Sequence, residues 1–213
     1  MGGNLCFIFL AFAAFSIKMV ASTSALGKRV EDTVMHILKM NMPTSREIPC
    51  TVGEVYIGEG YPVFQAATTK GTFETTSNTK PYYETIVVDL PQRELHEARV
   101  SIRRYDNIYT TVLRVFDDNW KFEDIKFWTS PVSYIIEFNM TIAKHTGVVH
   151  VQHSKIYDMY IQHHYTDHPP FSSIHTNKII SGMLTHLRIT FPLREILQPE
   201  ATNILNNAKI YLD

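Results

Sequence analysis

From Val132 to Ile142 every second residue is large and apolar: Val132, Tyr134, Ile136, Phe138, Met140 and Ile142. A β-strand turns successive side chains to opposite faces, so this alternation sends all six to one side of a sheet. The interleaved positions include Glu137, Asn139 and Thr141, which belong in water. A strand covered on one face only suits an antiparallel sheet and argues against the fully buried strands of a doubly wound fold. Asn139-Met140-Thr141 is also an acceptor triplet for N-linked glycosylation, and the alternation puts Asn139 on the wet face, opposite Phe138 and Met140.

The same period of two runs through residues 51–164, where β-branched and aromatic residues dominate. The clearest strands are predicted at 82–89, 98–104, 109–116, 132–143 and 148–153. Two short polar connections, Tyr105-Asp106-Asn107 and Lys144-His145-Thr146-Gly147, predict hairpins between neighbours. On either side the period is helical. Val30, Val34 and Leu38, with Ile37 beside them, make an apolar stripe over 26–42, and Pro43 stops it. Ile180, Met183 or Leu184, Leu187 and Phe191 form a second stripe, continued by Leu193, Ile196, Leu197, Ile204 and Leu205. Pro192 and Pro199 are expected to kink or restart that helix. Helix, long antiparallel strands, helix: the order predicts an α+β domain, a long curved antiparallel β-sheet packed on amphipathic N-terminal and C-terminal helices.

Residues 5–15 (LCFIFLAFAAF) are an apolar run followed by small polar residues ending at Ala25. This has the form of a cleaved secretion signal, 1–25, and is too short to span a bilayer. A Met-Gly start with Cys6 in place of Ser or Thr does not fit N-myristoylation. The expected mature chain, 26–213, is one secreted, extracellular domain. Lys18 is the sole charged residue of the leader, so the 20 basic residues fall to 19 against 21 acidic ones, a net charge of −2. Nothing in that balance draws the chain to nucleic acid or an anionic membrane. Cys6 leaves with the signal, so Cys50 has no internal partner; it is expected to be buried and inert, or paired with another chain.

No Gly-x-Ser-x-Gly elbow, phosphate loop or dinucleotide fingerprint occurs, and the chain is expected to be non-enzymatic and cofactor-free. Asp117-Asp118 and Glu123-Asp124 flank Trp120 in what reads as a solvated loop. Eight of the ten histidines fall between His145 and His186. Strict alternation turns His150 and His153 to opposite faces, and the spacing around His164, Asp167 and His168 matches no zinc pattern, so no metal is expected.

Taken in order, the leader, the amphipathic helix VEDTVMHIL, the Pro/Gly-rich approach to the sheet, the strands YIIEFNMTIAKHTGVVHVQHSKI and the helix IISGMLTHLRITFPLREIL resemble the tubular lipid-binding superfamily. The resemblance is to its short arthropod branch of group 7 mite allergens, takeout and juvenile-hormone-binding proteins, and covers 26–213. The chain lacks the N-terminal cysteine pair usual in takeout-like members. The resemblance implies a strongly curved sheet around a long helix and an elongated apolar cavity for a lipid or terpenoid.

The expected function is therefore a secreted binding protein for a hydrophobic small molecule. Val34, Leu38, Ile136, Phe138, Met140, Ile180, Leu184 and Leu187, which share the inward stripes of three elements, are its expected pocket lining. The alternative is a secreted protein–protein interaction module with a filled core; a membrane or protein receptor is left open as a partner. A lipocalin barrel fits less well, since its opening Gly-x-Trp is missing and both tryptophans lie mid-chain.

Overall fold

The computed structural model describes residues 25–55, 64–116, 122–166 and 190–212. Helix α1 spans 25–41. Eight strands follow among the described residues: β1 Ser45–Ile48, β2 Val52–Val55, β3 Phe64–Thr68, β4 Gly71–Glu74, β5 Thr79–Leu90, β6 Leu95–Phe116, β7 Phe122–Ala143 and β8 Val149–Thr166. Helix α2, Thr190–Asn206, follows the strands. Every strand pairing is antiparallel. The predicted class is the observed one: a curved, unclosed antiparallel sheet with helices before and after it.

Strands β6 and β7, 22 residues each, form the spine and pair along their whole length. The far edge of β6 is shared in sequence by β5, β4 and β3, and β1 and β2 extend from β4 and β3. Strand β8 lines the far edge of β7. At ~3.3 Å per residue the spine is about 70 Å long. Over such a length the inherent right-handed twist bends the sheet, creating an inner face for the helices.

Two predicted strands, 98–104 and 109–116, are one. Tyr105-Asp106-Asn107 is a bulge inside β6, not a hairpin turn: the register with β7 slips there and Asp106 takes a positive φ of 59°. An aspartate tolerates that conformation, as it would in a turn, so the local signal was ambiguous. What decides is Asn107. Its buried side chain replaces the ladder bonds lost at the bulge, donating to Val132 O at 2.8 Å and accepting from Thr76 N–H at 3.2 Å. The predicted turn after β7 is observed. Gly147 there has φ 66° and its N–H donates to Ala143 O at 2.8 Å. Glu123 and Asp124 lie within β7, not in a loop.

Each outer edge of the four long strands is met by a helix. On α1, Val30, Val34 and Leu38 are buried, one helical turn apart, and Met42 just beyond its end continues the stripe. Its first turn lies so close to β5 that a Cβ on Gly27 would fall 2.5 Å from Thr85 O. Thr85 Oγ1 there donates to the buried Glu31 at 3.1 Å. On α2 the buried stripe is Leu193, Leu197, Ala201 and Leu205. Pro192 sits in the first turn, where no N–H is needed, and the exposed Pro199 lies inside the helix. The adjoining polar side chains of α2 clamp β8. Ile156 N–H donates to Gln198 Oε1 at 3.1 Å, Gln198 Nε2 donates to Ser154 O at 2.9 Å, and Val151 N–H donates to Asn206 Oδ1 at 2.7 Å. An open strand edge invites pairing with another chain, and these side chains occupy its donors and acceptors.

Candidate ligand groove

The expected lining residues of the first helix and of β7 do come together. Val34 and Leu38 of α1 and Ile136, Phe138 and Met140 of β7 belong to one buried cluster, each no more than 1% exposed. They are packed against one another as core. Ile180, Leu184 and Leu187 lie outside the described residues.

Beside this core is a groove of about 880 Å³ between the last turns of the two helices. From α1 come Ile37 and Asn41, one turn apart, with Pro43 just beyond. From α2 come Glu200, Asn203 and Ile204, on one face by their three- and four-residue spacing, with Asn207 just past the helix end. Ala208 and Lys209 of the C-terminal tail complete the lining. That tail is held in place where Ile210 N–H donates to Gly147 O at 2.7 Å, below the β7–β8 turn. Two of the asparagines turn back onto the helix ends: Asn41 Nδ2 donates to Ile37 O at 2.8 Å and Asn207 Nδ2 to Asn203 O at 2.9 Å. The apolar positions Ile37 and Ile204 stand one step off the buried stripes. That offset is the signal in the sequence: an apolar residue beside a complete stripe widens the apolar face beyond what the sheet covers.

Glu200 connects the groove to a buried polar cluster. Its Oε2 lies 2.7 Å from Arg46 Nη2 of β1, an ionic contact without hydrogen-bond alignment. Burial raises the Glu200 carboxyl above its ordinary value, and Arg46 pulls against that rise. Arg46 also donates to Thr75 Oγ1 and to Pro43 O, and lies over the Phe73 ring. Arg104 of β6, 2% exposed, donates Nη2 to Thr76 O at 2.8 Å and sets Nη1 against Met42 Sδ. Burial lowers its guanidinium's proton affinity. Tyr134, directly opposite on β7, is buried with its hydroxyl unpartnered among the described residues, and burial raises its pKa. Two guanidiniums against one carboxylate leave an excess of positive charge under the groove wall.

Strict alternation fails for the histidines. In register, Thr141 faces His150 and Asn139 faces His153, while the chain slips by one residue between Asn139 and Met140. Gln152 is the extra residue of that bulge. It brings His150 and His153, predicted to point apart, onto the same outer face, where both are exposed. Among the described residues no three His, Cys, Asp or Glu side chains converge as a metal site would require. The segment with Asp167 and His168 lies outside the described residues. Cys50, expected to be buried, is exposed: it follows Pro49 in the connection between β1 and β2, outside either strand.

No protein-family model and no curated protein sequence matches the chain. Among solved structures, it is similar to a crystal structure of lipopolysaccharide binding protein, with a TM-score of 0.42 and 13% identity. The match covers 86% of this chain and 38% of that one, so the chain spans less than two fifths of that protein's length.

Proposed function

We propose that this chain is a secreted, non-enzymatic binding protein for a hydrophobic small molecule, a lipid or terpenoid, seated in the groove between α1 and α2. The observation that carries the reading is the groove itself. Its 880 Å³ lies within the range of small-molecule sites, and Ile37, Pro43, Ile204 and Ala208 supply apolar wall beside a few polar groups. Each ligand methylene removed from water there contributes ~0.8 kcal/mol, so a long aliphatic chain binds without a charged clamp. The leader at 1–25 supports secretion, and the order of elements supports the arthropod branch of the tubular lipid-binding superfamily. A hydrophobic fluorescent probe such as N-phenyl-1-naphthylamine tests this. Ile37→Asp and Ile204→Asp are expected to weaken its binding at least tenfold while thermal unfolding stays cooperative. Saturable probe binding indifferent to both substitutions would remove the groove from the account.

One observation favours the second reading, a protein–protein interaction module. The inward-facing Val34, Leu38, Ile136, Phe138 and Met140 are closed to solvent in one buried cluster, each no more than 1% exposed. A protein that takes up no probe and yields no lipid on solvent extraction is that module.

A further inference from the structure

We propose that Asn139 carries an N-linked glycan whose two proximal sugar rings lie in a depression on the outer face of the sheet and cover Ile86 and Val88. Asn139 stands in the middle of β7, half-buried on the face opposite the helices, and its amide finds no hydrogen-bond partner among the described residues. It lines a depression of about 280 Å³ with Ile86, Val88, Glu97, Arg99 and Gln152. That space is below the usual range for a drug-sized ligand and suits one or two sugar rings.

The register gives the path. Asn139 pairs with Arg99, which pairs with Ile86; Thr141 of the acceptor triplet pairs with Glu97, which pairs with Val88. Two strand spacings, about 10 Å, separate Asn139 from the aliphatic pair, the reach of a disaccharide laid across the sheet. Ile86 and Val88 face outward because β5 slips register between Tyr83 and Ile86, and they are 55% and 47% exposed. Apolar side chains on an edge strand invite association with another chain. A sugar ring offers an apolar face to such residues, and its hydroxyl and acetamido groups meet the carboxylate of Glu97, the guanidinium of Arg99 and the amide of Gln152. Arg99 is held for this by Glu137 at 2.9 Å.

The modification is a group transfer from a lipid-linked oligosaccharide pyrophosphate. The Asn139 Nδ2–C1 bond forms, the sugar C1–O bond to pyrophosphate breaks, the lipid pyrophosphate leaves, and Nδ2 gives up one proton; nothing is oxidised or reduced. The inference rests on the secretory routing proposed above, and the experiment separates the two. The full chain is expressed in a eukaryotic secretory cell, and the medium and cytosol are analysed by peptide mass spectrometry. The expected result is secreted protein occupied at Asn139, lost in Thr141→Ala and kept in Thr141→Ser. A glycosylamidase is expected to release the glycan at least tenfold more slowly from native than from unfolded protein, and Ile86→Ser/Val88→Ser to remove most of that protection. Thr141→Ala is expected to bind more hydrophobic dye than Thr141→Ser. Secreted protein bare at Asn139 overturns the glycan alone, and equal release from native and unfolded protein overturns its packing. Protein confined to the cytosol overturns the routing and the glycan together.

Discussion

Replacing Gln198 by alanine tests whether α2 is the cover of the β8 edge. Two hydrogen bonds disappear: the one from Ile156 N–H at 3.1 Å and the one to Ser154 O at 2.9 Å. A typical intramolecular hydrogen bond contributes ~0.5–1.5 kcal/mol net, so the pair is worth ~2 kcal/mol. Both lie in a part-buried setting that water can enter after truncation, which holds the loss near that figure instead of a full desolvation penalty. In a domain of this size ~2 kcal/mol lowers the Tm by about 4–8 °C. By comparison, emptying the buried Leu197 site next to it costs ~2–5 kcal/mol. Apolar burial therefore docks the helix, and the glutamine fixes its position along the strand. Chemical denaturation gives the stability, and hydrogen exchange at the Ile156 amide gives the location: Gln198→Ala is expected to accelerate exchange there and leave the amides between β6 and β7 unchanged. Gln198→Glu keeps the acceptor for Ile156, loses the donor to Ser154 O and sets a charge against that carbonyl, so it protects Ile156 while still destabilising. An Ile156 amide equally protected in the alanine variant, with unchanged stability, would refute the clamp.

Two further outcomes follow from the buried polar cluster. Tyr134→Phe removes a buried hydroxyl that has no partner among the described residues, so it is expected to leave stability unchanged or raise it by up to ~1 kcal/mol in chemical denaturation; a loss of ~2 kcal/mol or more would reveal a partner for that hydroxyl. Glu200, facing Arg46, Arg104 and Tyr134, has its carboxyl raised above 4.5, chiefly by burial. The native state then holds this proton more tightly than the unfolded chain, so its contribution to stability is full below about pH 4.5 and falls as pH rises through the raised value. The difference between wild type and Glu200→Gln, measured by denaturation across that window, is expected to move against the wild type as pH rises; a difference that grows in its favour contradicts the assignment.

Elements and their faces were legible in the chain wherever the governing rule is local. Alternation assigned Phe138 and Met140 inward and Asn139 outward, because the side-chain period of a strand belongs to the chain itself. The stripe Val30, Val34, Leu38 likewise named the buried side of α1, and the polar Lys144–Gly147 run marked the β7–β8 turn. Five expected pocket residues fall in one buried cluster, and their periodicity alone could not separate a packed core from a lined cavity. That depends on how closely two elements approach, which no single element records.

The remaining features depend on contacts between distant parts of the chain. The bulge at Asp106 joins two predicted strands, and the bulge at Gln152 reverses the predicted divergence of His150 and His153, because register is set by the partner strand and one extra residue flips every side chain beyond it. Cys50 is exposed in the connection between β1 and β2, against the usual preference of cysteine for burial. The groove exists because Ile37 and Ile204, 167 positions apart in the chain, are brought together by two helices docked on the same curved sheet. Local chemistry named the parts; the meeting of distant surfaces made the site.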